Sequence, residues 1–88
     1  MVEKNAITFI AYKNDSPFTV QLEPEAIMLT VNPGEELTFV AKNVLHEFSW
    51  AIRYADSGIQ LFPETFDYGR IEVFRNGTPS TELDFLYE

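Results

Sequence analysis

Apolar and polar residues alternate with period two along most of the chain, which is the pattern of strands that bury one face. In residues 6–12, Ile7, Phe9 and Ala11 fall on one side and Thr8, Ile10 and Tyr12 on the other. Apolar groups on both sides predict a central strand covered on two faces. Phe18, Val20 and Leu22 form the inward row of a second strand, which ends at Glu23-Pro24-Glu25 because Pro24 has no amide donor for a ladder. Ile27, Leu29 and Val31 then lead into Asn32-Pro33-Gly34-Glu35, and Leu37, Phe39 and Ala41 lead out of it. Pro33 presets a negative φ and Gly34 accepts a positive one, the chemistry of a type II turn. Residues 21–41 are therefore expected to form a β-hairpin that fixes register for the rest.

Alternation lapses over residues 42–46 and returns in Phe48, Trp50, Ile52 and Tyr54, set against Ser49, Ala51 and Arg53. This is the clearest one-sided strand, and its bulky row is expected in the core. Asp56-Ser57-Gly58 turns the chain into a short strand over residues 59–62. Residues 61–69 have Pro and Gly punctuation, no period, and aromatics set among acids. Ile71 and Val73 share a face of the next strand, and Asn76-Gly77 is a strong hairpin signal, because both central positions of a type I′ turn need positive φ. The return strand is placed at residues 81–86, with Leu83 and Phe85 inward and Glu82 and Asp84 outward. No segment sustains helical periodicity. The pattern predicts an all-β fold: a small antiparallel β-sandwich or rolled barrel of about seven or eight short strands, Greek-key or jelly-roll-like, with residues 1–88 as a single domain.

Composition narrows what such a fold does. A chain of 88 residues buries only roughly 60–65% of its unfolded surface, which leaves little room for a deep cleft. Hydrophobic residues at 45% place it outside the disordered regime. The net charge of −8 repels phosphate backbones and anionic headgroups, so neither nucleic acid nor a membrane is an expected partner. A basic partner protein, a cation or simple solubility would each suit that charge, solubility being the plainest reading. The longest wholly apolar run, residues 26–29, is far short of the ~20 a membrane helix needs. Residues 1–5 lead directly into a strand-like segment without the basic and apolar regions of a secretory signal, so a cytoplasmic location is expected.

Candidate chemistry is sparse. There is no cysteine, which removes disulfides, thiolate metal sites and cysteine nucleophiles together. His46 is the single histidine, and without a partner it makes neither a metal site nor a catalytic base. Glu23 with Glu25, Glu35 with Glu36, and Glu64 with Asp67 are carboxylate pairs in a chain rich in acids, and no calcium-loop spacing accompanies them. Ser16, Ser49, Ser57 and Ser80 lack a nucleophile-elbow frame, and the glycines are dispersed one to a turn rather than gathered into a phosphate cradle. No enzyme, cofactor or metal site is expected.

A Pro-Gly-Glu turn entering a Leu-x-Phe strand, here Pro33 to Glu35 and Leu37 to Phe39, resembles cupredoxins and other Greek-key sandwiches. Type I copper requires two His and a Cys, so this chain cannot hold it. Taken together, Asn14 to Ser16, Leu22-Glu23-Pro24, Pro33-Gly34-Glu35 and Val73-Phe74-Arg75-Asn76-Gly77 resemble the turn motifs of a short bacterial all-β family. That resemblance implies a compact β fold and brings no activity or site residues.

What remains is surface. Phe62, Phe66 and Tyr68, with Glu64 and Asp67, form an aromatic and acidic stretch that either caps the sandwich or offers stacking area to a ligand. The expectation is a non-enzymatic protein-binding or accessory domain, inhibitor-like in its narrower form, with another protein as partner, a basic one being favoured by the charge, and these five residues as its site. A small carbohydrate-binding module using the same aromatics is the alternative. Strand edges offer a further route to homo-oligomers.

Overall fold

The computed structural model describes residues 5–42, 48–56, 58–64 and 69–87. Eight strands follow in chain order: β1 (Ala6–Ile10), β2 (Phe18–Leu22), β3 (Ile27–Val31), β4 (Glu36–Lys42), β5 (Trp50–Ala55), β6 (Gly58–Pro63), β7 (Arg70–Arg75) and β8 (Thr78–Ser80). A single turn of 3-10 helix, Asp84–Tyr87, comes after them. The strands form two four-stranded sheets, ordered β1-β4-β7-β8 and β3-β2-β6-β5, packed as a sandwich. All pairings are antiparallel except β2 with β6. The all-β sandwich is as expected; the rolled-barrel form is not, because the two sheets do not close on each other. Inward rows from both sheets meet in one core, with Val20, Leu22, Leu29, Val31 and Leu61 on one side and Phe9, Leu37, Phe39, Ile71 and Val73 on the other.

The turn at residues 32–35 has its expected chemistry but joins different partners. Gly34 has φ 84°, and the Glu35 N–H donates to the Asn32 carbonyl at 3.0 Å. Yet β3 pairs with β2, whereas β4 pairs with β1 and β7, so the segment is a corner between sheets and not a hairpin. The reason lies in the turn type. A type II turn splays its flanking strands, and tight hairpins use turns with positive φ at the first central position, which Pro33 cannot adopt. Ala11 stitches the corner down by accepting from Gly34 N–H at 2.8 Å and donating to the Glu35 carbonyl at 3.0 Å. At residues 76–77 the contrast holds: Asn76 (φ 51°) and Gly77 (φ 80°) form the expected I′ geometry, and β7 and β8 are a true hairpin.

Two further expectations are corrected. Residues 6–12 are not a central strand, since β1 lies at the edge of its sheet with Ile10 and Tyr12 exposed on the outer face. The return strand occupies Thr78–Ser80 rather than residues 81–86, and the chain then leaves the sheet. Leu83 is buried in the core and Leu86 packs against it, while Phe85 is 58% exposed. A 3-10 turn aligns residues three apart, so period three and not period two selects what points inward.

Candidate functional site

β5 has none of its six residues buried. Its register with β6 sets Trp50 opposite Pro63, Ile52 opposite Leu61 and Tyr54 opposite Ile59, so these three β5 side chains share the face on which Leu61 is fully buried. Even so, Ile52 is 47% and Tyr54 82% exposed. The expectation that this bulky row lies in the core holds only for Trp50. Its indole N–H donates to the Asn5 carbonyl at 3.1 Å, and its ring lies 6.4 Å from that of Phe39 and 5.0 Å from that of Phe48. Alternation correctly assigns the face. It carries no information about whether the opposite sheet reaches far enough to cover it.

The backbone of β5 is equally open. The Glu64 N–H donates to the Ser49 carbonyl at 3.0 Å, in the same register as the ladder. Residues 49, 51, 53 and 55 therefore point their N–H and C=O groups at β6, while Trp50, Ile52 and Tyr54 point theirs away. No strand lies on that side among the described residues. Beside Tyr54 an apolar groove of about 480 Å³ runs along the end of the sandwich, lined by Pro17, Phe18, Ile59 and Asp56 among others. Gly58 makes this end possible. Its φ is 144°, and a Cβ there would come within 2.3 Å of the Thr19 carbonyl oxygen, so only glycine lets β6 close on β2.

Of the residues singled out from the aromatic stretch, the structure describes Phe62 and Glu64. Phe62 alternates with the core row of β6 and so sits half-buried on the outer face, opposite Ala51. Glu64 is exposed at the far end of β6, where its carboxylate accepts from the Ser49 hydroxyl at 2.9 Å. Phe66, Asp67 and Tyr68 fall outside the described residues, as does His46. Among the described residues no three His, Asp or Glu side chains gather as a metal site, and no helix is long and apolar enough to cross a membrane. Carboxylates have structural partners instead: Glu35 accepts from Asn32 N–H at 2.9 Å, and Glu23 from the Gln21 side chain at 2.8 Å. Among the described residues, Arg75 and Glu82 perturb each other's ionisation. Their hydrogen bond holds the Glu82 carboxyl below the usual range against the opposing effect of burial, and raises the Arg75 guanidinium. That pair lies away from the groove and secures the chain after β8.

The chain matches no protein-family model, no curated protein and no solved structure. Geometry alone therefore carries the reading of its surface.

Proposed function

We propose that this chain is a non-enzymatic protein-binding domain and that its binding surface is the open side of β5 with the groove beside it. The observation that carries the reading is the exposure of Ile52 and Tyr54 on the core-facing side of a strand whose outer backbone groups have no strand partner among the described residues. An incoming segment gains ladder hydrogen bonds and a place to bury apolar side chains at once, which is how strand addition gives both affinity and specificity. Tyr54 is the natural anchor, since a tyrosine buries a large area while keeping a polar tip. The net charge of −8 speeds the approach of a basic partner and slows that of an acidic one, so salt dependence reads out the partner's sign. A carbohydrate-binding role would rest on Phe62, Phe66 and Tyr68 as a stacking platform. Phe62 is half-buried and the other two are not described, so that alternative gains no support.

The test is affinity capture with three baits: the parent chain, Tyr54→Ser and Phe62→Ser. Protein retained by the parent and by Phe62→Ser but lost with Tyr54→Ser is the expected result. Loss with Phe62→Ser alone would move the site to the outer face and overturn the assignment, and so would capture indifferent to both substitutions.

A further inference from the structure

We infer that the strand added to β5 is β5 of a second copy of this chain, so that the protein is a two-fold dimer through a continuous intermolecular sheet. This deepens the reading above and rests on it. The argument begins with what distinguishes β5 from the other edges. At β1 the inward Phe9 is already buried, and at β3 Leu29 and Val31 are as well. Next to β8 the inward Val73 is also covered. Among the described residues, β5 is the edge where large apolar side chains of the core-facing row run out into solvent, at Ile52 and Tyr54. An exposed apolar edge whose single charge, Arg53, is drawn to Gln60 of β6, with no proline, lysine or bulge on it, is a template for pairing.

Register then selects the partner. The outward N–H and C=O groups belong to Trp50, Ile52 and Tyr54. In an antiparallel pair centred on Ile52, Ile52 faces Ile52 of the other copy and Trp50 faces Tyr54, so every one of those groups finds a partner. Ala51 then faces Arg53. Sliding the centre to Arg53 sets like charges directly opposite each other and leaves Trp50 without its bonds; sliding it to Ala51 strands Tyr54 instead. The centred register is thus the one in which β5 complements itself in backbone, apolar packing and charge. With a perpendicular two-fold axis the inward faces of both copies lie on the same side, so each Tyr54 ring comes against the other copy's Trp50 row and extends the core.

Charge gives the inference a distinctive signature. Two copies of net charge −8 repel at long range, while the contact strand itself carries only Arg53. Added salt should therefore tighten this association, whereas it would weaken binding to a basic protein.

Light scattering coupled to size exclusion, run at low and high salt, tests the inference. The expected result is the mass of two chains, with the dimer fraction rising with salt. Ile52→Lys places two ammonium groups face to face at the centre and should give the mass of one chain, with the circular dichroism spectrum of the parent and a thermal midpoint that, unlike the parent's, does not rise with protein concentration. Because the parent has no cysteine, Ile52→Cys supplies one thiol per chain. Directly opposed strand positions lie at about 5.5 Å between Cα atoms, within disulfide reach. Oxidation, with two electrons and two protons leaving to the added oxidant, should link Cys-substituted chains at position 52 and not at the exposed control position Met28. A single-chain mass at every concentration and salt, or a dimer unaffected by Ile52→Lys, overturns the inference. In the first case, capture of a different protein that is lost with Tyr54→Ser leaves β5 as the binding surface and removes only the second copy as its occupant.

Discussion

The two sheets finish their edges in opposite ways. On the β7 side the short β8 covers only Val73 to Arg75, and the chain beyond it seals the rest. Leu83 enters the core, and the Tyr87 hydroxyl accepts the Ile71 N–H at 2.7 Å, at a position that β8 does not reach. The Arg70 guanidinium lies 4.6 Å from the Tyr87 ring centre and pairs with Asp84, which holds the helical turn in place. At β5 nothing comparable exists among the described residues, and inward side chains stand in water. Among the described residues β1 and β3 are edges as well, but their inward Phe9, Leu29 and Val31 are buried, so β5 is the edge that combines unpaired backbone with exposed inward side chains. Stability should then concentrate at the sealed edge and association at the open one.

The largest expected effect tests that division directly. Leu83→Ala removes a side chain that is 2% exposed and opens a cavity where the chain end plugs the sandwich. It should cost about 2–5 kcal/mol in urea unfolding, while Ile52→Ser should stay within about 0.5 kcal/mol for the isolated chain. Equal costs would mean that β5 is core after all. Gly58→Ala comes next. A Cβ at 2.3 Å from the Thr19 oxygen, on a backbone with φ 144°, should cost about 2–3 kcal/mol and loosen the support that β6 gives to β5. Amide exchange would show faster opening across β5 and β6 than across β1 and β4; uniform loss of protection would contradict it.

Much of this difference was legible in the residues, though not all of it was legible in the same way. Inward rows follow from alternation alone, and Val20, Leu22, Leu37 and Phe39 lie where period two puts them. The Asn76-Gly77 hairpin follows from turn chemistry. So does the corner at residues 32–35, because Pro33 forbids the positive φ of a tight hairpin; the signal was present, and expecting a hairpin there overlooked it. Strand order is another matter. Whether Ile52 and Tyr54 are covered depends on how far the opposite sheet extends, and no local pattern encodes that. The same limit applies to β1, whose apolar outer residues Ile10 and Tyr12 read as a second buried face but are exposed at an edge. Of the surface proposed here, the side chains were visible as a bulky row, and their availability was not.

The smallest effect concerns what pins the sealed edge at its outer end. Arg75 donates to both oxygens of Glu82, at 2.6 and 2.9 Å, and also reaches Glu35 at the corner, at 3.3 Å. Ser80 adds a hydroxyl bond to Glu82 at 2.7 Å. The folded state holds the Glu82 carboxyl below its ordinary range, chiefly through the Arg75 hydrogen bond. Its contribution is therefore complete above the unfolded carboxylate value and disappears as pH falls through the lower folded value. Both side chains are partly open to water, so solvent screening limits the gain to about 0.5–1 kcal/mol. Glu82→Gln should be destabilised by about that amount at neutral pH, and its stability curve should merge with that of the parent in acid. Ile52→Ser should show no such pH-dependent gap. Parallel curves for Glu82→Gln and the parent down to the lowest pH would mean that the ion pair does not hold the chain end, and that burial of Leu83 seals this edge unaided.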